Sequence, residues 1–146
     1  MTGVGVQLFC IDGTNLVRGS FGYEGPQFRA QEEADAQRMV MAFGQVCAGI
    51  GGRIEIEVYF DGQPRAGLAS REAGLSVRFT RELKADDVIL DRVSARRYSG
   101  EGKVTVVTSD AELGARAKEE GGRWLRVARG AKLETVVAAI EGRFSR

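Results

Sequence analysis

Apolar and polar residues along this chain switch between two periods in a repeated order. Residues 4–11 form a short, nearly continuous apolar run with β-branched ends, which predicts a buried first strand followed by a turn at Asp12, Gly13, Thr14 and Asn15. The Gly-rich stretch 18–29, holding Phe21, Tyr23 and Phe28 between Arg18 and Arg29, reads as a loop. Over 31–48, Ala36, Met39, Val40, Phe43, Val46 and Cys47 keep a 3.6-residue period, the mark of an amphipathic helix, closed by Gly49, Gly51 and Gly52. Residues 53–60 alternate Ile54, Ile56, Val58 and Phe60 with Glu55 and Glu57, as expected of a strand near a sheet edge or with one covered face.

After a loop rich in Gly, Pro and Arg, the pattern predicts a strand at 75–79, a helix at 86–98, a buried strand at 103–108, a helix at 111–120 and a last strand at 124–127. Leu133, Val136, Val137, Ile140 and Phe144 mark a terminal helix. Strands alternating with helices imply right-handed crossovers and an α/β fold, a mostly parallel sheet with helices on both faces. With 146 residues and no internal repeat or linker, one domain over 1–146 is expected.

Composition narrows the chemistry. A net charge of +1 leaves no global basic field, so any polyanion contact must be local. The absence of His excludes imidazole acid–base catalysis, Ser-His-Asp triads and imidazole metal sites, leaving oxygen ligands suited to Mg²⁺ or Mn²⁺. Cys10 and Cys47 lack the spacing of a zinc or redox pair and read as buried thiols of a reducing cytoplasm. The first residues lack a basic segment and meet Asp12 early, and no apolar run approaches the ~18 residues of a membrane span, so a cytoplasmic protein without membrane attachment is expected.

Aspartates collect where strands or their connections end: Asp12, Asp61, Asp86 and Asp110. In parallel sheets ligands bind outside the carboxyl ends of the strands. Two carboxylates ~5 Å apart repel by roughly 3 kcal/mol at an effective dielectric near 20, so such a cluster calls for a cation or protons. Each position also has a plainer reading. Asp12-Gly13 and Asp61-Gly62 are turn pairs, Asp86 and Asp87 are candidate helix caps, and Ser109 with Glu112 forms a capping box around Asp110. Asp91 reads as a solvated charge. Arg18, Arg29, Arg65, Arg71, Arg96, Arg97, Tyr98 and the rings of 18–29 are candidate nucleic-acid contacts, whereas Trp124 reads as packing.

Four ordered pieces, IDGTN at 11–15, VYFDG at 58–62, ADD at 85–87 and VTSD at 107–110, resemble the NYN branch of the PIN-like nucleases, in particular the YacP-like ribonucleases. The resemblance spans nearly the whole chain. It implies a three-layer PIN-like fold with strand order 3-2-1-4-5 and metal-dependent endonucleolytic cleavage of RNA, in some members on the ribosome. Carried over by motif, Asp12, Asp86 and Asp110 are the expected catalytic residues. Asp12, Asp61, Asp86, Asp87 and Asp110 are the expected metal ligands, with Asp61 at a position where the family varies. Asn15, Arg18, Lys84, Thr108 and Ser109 are the expected substrate contacts. The implied substrate is RNA, single-stranded or messenger.

The chain departs from the family pattern in its short segment past Gly130 and in Glu82-Leu83-Lys84, where Gly-Glu-Thr is usual. Two rival readings follow. A catalytically silent RNA- or ribosome-binding module would keep the fold without the chemistry. A haloacid-dehalogenase-like phosphatase is suggested by CIDGT, but it would need a carboxylate nucleophile where Cys10 stands.

Overall fold

The structure, a computed structural model, describes residues 5–21 and 29–144. Five strands, β1 (Gln7–Asp12), β2 (Ile54–Phe60), β3 (Leu75–Phe79), β4 (Val104–Thr108) and β5 (Arg123–Arg126), form one parallel sheet in the order β3-β2-β1-β4-β5. Around it lie α1 (Gly13–Phe21), α2 (Arg29–Ile50), α3 (Ala85–Ser99), α4 (Ala111–Glu119) and α5 (Leu133–Gly142), with a 3₁₀ turn at Ala66–Leu68. β1 is central and covered on both faces, which is why its apolar run does not alternate. Phe9 and Ile11 face a core built with Val17, Phe43 and Ile140 from α1, α2 and α5. Leu8 and Cys10 face the other, built with Ile89 and Val93 of α3 and Leu113 of α4.

This is the expected order of strands and helices, with three local differences. Residues 12–15 are not a free turn, because α1 starts directly from β1 at Gly13. A Cβ on Gly13 would stand 2.8 Å from Phe60 Cε1 and 2.9 Å from the Tyr59 carbonyl oxygen, so glycine is required here by the close approach of β2. The stretch 18–29 is helical as far as Phe21, while Tyr23, Phe28 and the rest of the expected aromatic loop lie outside the described residues. Finally, β2 lies near the edge as expected, but its polar face is covered as well, with Glu57 buried under α3.

Candidate active site

A cleft of about 750 Å³ opens at the carboxyl edge of the sheet, lined by Asp12, Asp61, Asp86 and Asp110 together with Thr14, Asn15, Arg18, Gly19, Leu83, Lys84, Ala85, Ser109 and Arg129. Each carboxylate arrives on a different element. Asp12 ends β1, Asp61 follows β2, Asp86 sits in the first turn of α3, and Asp110 caps α4. Parallel topology brings Asp12, Asp61 and Asp110 to this edge because each stands at or just past the end of a strand, and the start of α3, reached through the connection from β3, adds Asp86.

Short hydrogen bonds fix the floor. Thr108 Oγ1 lies 3.0 Å from Asp12 Oδ2 and 3.3 Å from Asn15 Oδ1, and accepts the Asp110 amide at 3.1 Å. Asn15 Oδ1 also accepts from the Ser109 amide at 3.1 Å and the Ser109 hydroxyl at 2.9 Å, latching α1 to the end of β4. Thr14 Oγ1 accepts the Asp61 amide at 2.8 Å, tying α1 to the end of β2. Beneath them the Trp124 indole donates to the Thr108 carbonyl at 3.1 Å.

The walls come from opposite faces of the sheet. Arg18 and Gly19 at the end of α1, with Arg129 from the β5–α5 connection against Gly19, make the wall on the α2 side. Leu83, Lys84 and Asp86 make the wall on the α3 side. The loop carrying them is tied to the Asp61 turn by an isolated bridge between Gly62 and Arg81, the latter in the left-handed region at φ 60°.

Electrostatically the floor is under-compensated. Asp12 is 5% exposed, and burial, followed by the nearby charges of Asp86, Asp61 and Asp110, pushes its carboxyl up to about 7 against the pull of the Thr108 hydroxyl. Asp86 is also raised, first by burial and then by Asp110, with Arg116 opposing. Among the described residues none of the four forms an ion pair. An all-oxygen donor set carrying excess negative charge fits a hard divalent cation. Among the described residues, however, no three acidic or thiol side chains stand close enough to hold a metal as they are placed.

Several expected roles change. Thr108 is fully buried, so its hydroxyl orients Asp12 and Asn15 rather than touching a substrate. The α4 cap is Asp110 itself, whose Oδ1 accepts from the Glu112 and Leu113 amides, while Ser109 is spent on Asn15. The α3 N-cap is Lys84, without a side-chain bond, so Asp86 and Asp87 are first-turn residues and not caps. Asp87 lies outside the cleft in a groove with Arg116 4.0 Å away, because a helix turns successive side chains by about 100°.

Other expected contacts also fall elsewhere. Arg65 stacks over Phe60 and Phe79 and pairs with Glu33, and Arg96 is buried against Glu55 and the Val6 carbonyl. Arg97 and Tyr98 sit at the far end of α3, roughly 15–20 Å from Asp86 at 1.5 Å per helical residue. Trp124 packs on Gly114, where a Cβ would collide with the indole, and carries Arg126 on its ring. Cys10 and Cys47 are buried, their thiols pushed up to about 12 and about 11 mainly by desolvation. A buried Cys10 also removes the phosphatase reading. Leu83 and Arg129, which line the cleft, are additions; the position of Arg129 just past β5, at the edge where every strand ends, is the signal that points to it.

The YacP-like NYN domain family model matches residues 9–141. A crystal structure of Rae1 (YacP) from Bacillus subtilis, in a point-mutant form, is similar at a TM-score of 0.60 and 22% identity, covering 97% of this chain and 80% of that one. No curated protein sequence matches the chain. The fold is therefore the PIN-like α/β arrangement, and no helix among the described residues is long and apolar enough to cross a membrane.

Proposed function

We propose, from the premise that this chain belongs to the YacP-like NYN domain family, a group of nuclease-type PIN-like domains, that it is a divalent-metal-dependent endoribonuclease hydrolysing RNA phosphodiester bonds. The observation that carries this reading is the cleft in which four carboxylates from four elements converge without an ion pair among the described residues. Asp12, Asp86 and Asp110 would hold the ion, Mg²⁺ or Mn²⁺, with Asp61 as a fourth oxygen donor. A bound ion of this kind supplies Lewis acidity and neutralises charge developing on the phosphate.

The chain's own residues do the rest. Thr108 aims Asp12 through its hydroxyl, and the Asn15–Ser109 latch keeps the floor from spreading as its carboxylates repel. The Asp110 cap uses Oδ1 and leaves Oδ2 without a hydrogen bond among the described residues. Arg18 and Lys84 bring positive charge to the rim, where a phosphate backbone would lie, with Arg18 shared with Glu32 at 3.3 Å. The substrate would be single-stranded or messenger RNA, encountered in the cytoplasm or on the ribosome.

One observation favours a second reading. Because no three ligating side chains are in place together among the described residues, a silent RNA- or ribosome-binding module is the alternative. Incubating the protein with a single-stranded and a structured RNA across a Mn²⁺ titration separates the two. Metal-dependent shortening of the RNA is expected, and a gel shift without shortening at any metal concentration would sink the nuclease reading.

A further inference from the structure

We infer that Arg129 and Leu83 are substrate-positioning residues that thread a single unpaired strand across the acidic floor, Arg129 holding a backbone phosphate on one wall and Leu83 the face of a splayed base on the other. The inference deepens the proposed reading and rests on it for the identity of the floor.

The rim is chemically uneven. On the α1 side, Arg129 is exposed and makes no ion pair among the described residues, whereas its neighbour Arg18 is shared with Glu32. A Cβ built on Gly19 would stand 3.8 Å from Arg129 Cγ, so the Arg129 stem runs close beside the end of α1 at the cleft. A planar guanidinium fork at the cleft rim suits a phosphate oxygen pair. Across the floor, Leu83 is 68% exposed, one of three large apolar side chains so exposed among the described residues, and it alone of those lines the cleft. Its neighbour Lys84 is exposed too. An apolar side chain beside an ammonium group matches one nucleotide of a single strand, base against Leu83 and phosphate against Lys84. In a duplex the base faces are stacked and unavailable, so Leu83 would gain nothing from one.

Anisotropy of a short fluorescein-labelled oligoribonucleotide, alone and annealed to its complement, tests this in Mg²⁺ over a salt series, with cleavage read by gel from the same samples. R129Q should weaken single-strand binding about tenfold and lower the log–log salt slope by about 0.7, one phosphate contact, with R129K restoring the slope. In turnover it should raise KM and leave kcat. L83S should weaken single-strand binding about fivefold with the slope unchanged and leave duplex binding alone. An unaltered slope in R129Q, equal losses on both substrates in L83S, or no binding of either substrate by the wild-type protein would overturn the inference. Binding that follows this pattern without cleavage would overturn the nuclease reading instead and leave the threading intact.

Discussion

Two buried carboxylates on the same face of the sheet live in opposite surroundings. Asp12 and Glu57 are each 5% exposed, on adjacent strands, with Asp12 registered against Tyr59 and Glu57 against Cys10. Glu57 accepts from Tyr59 at 2.5 Å and from Arg92 at 3.0 and 3.2 Å, with Arg78 at 3.6 Å. Burial alone would raise its carboxyl, but the bonds from Arg92 and Tyr59 and the charges of Arg92 and Arg78 bring it below its ordinary value. Asp12 has one hydroxyl partner and three carboxylate neighbours, and is raised. One site is finished by the protein; the other is left electrically incomplete, which is what an exogenous cation requires.

The two residues should therefore fail differently when replaced. Asp12→Asn should lower RNA cleavage in Mn²⁺ by about 10³-fold or more, on the scale of losing a central electrostatic group. Metal-free thermal unfolding should show no loss of stability, because the substitution removes an unfavourable buried charge. Full activity in this variant would remove Asp12 from the site. Glu57→Gln should do the reverse, costing about 3 kcal/mol and leaving per-molecule activity of the folded protein nearly unchanged, since it strands the Arg92 guanidinium. The double variant Glu57→Gln, Arg92→Met should recover part of that loss in urea titration, and strict additivity would show that the pair is not coupled.

A smaller effect probes what joins the floor to the rest of the fold. Gly114→Ala places a methyl into the Trp124 ring and should cost about 1–3 kcal/mol by overpacking. Because the chain has one tryptophan, its emission should shift in the folded variant as the indole leaves the Thr108 carbonyl, and an unmoved spectrum would deny that coupling.

The finest test is pH. Stability changes with pH as the difference in protons bound by the unfolded and folded states. The raised Asp12 holds its proton longer when folded, so its contribution is full below 3.8 and lost as pH climbs to about 7. Metal-free Asp12→Asn should therefore gain on the wild type across that window and run parallel above it. The lowered Glu57 has the opposite sign. Its contribution is full above 4.5 and disappears as pH falls through its folded value, so Glu57→Gln and the wild type should converge in acid. Denaturant titrations at several pH values read both slopes, and equal signs would dissolve the comparison.

How much of this was legible beforehand differs by level. The period of apolar residues is a property of the chain itself, so the alternation of strands and helices, the buried apolar β1 and the arrival of Asp12, Asp61 and Asp110 at one edge could be read from residues 7–127 alone, whereas the central place of β1 followed from the family resemblance. Asp12-Gly13 was visible as a pair but not for its reason, since the demand for glycine comes from β2, more than 40 positions away. Glu57 was indistinguishable from Glu55, because an alternating strand shows its period but not what lies over its polar face. The signal was there in two places at once. Glu55 and Glu57 are two residues apart on a strand, about 6.6 Å, and Arg96 and Arg92 are four apart on a helix, about 6 Å, so the two rows match.

Local order and edge chemistry were thus determined by the sequence itself. Only the tertiary structure decided which carboxylate would be neutralised, which hydroxyl would aim Asp12, and which rim residues would face the floor. Those outcomes depend on distances between segments far apart in the chain, and a charge acquires its energy from what packing brings within a few ångströms of it.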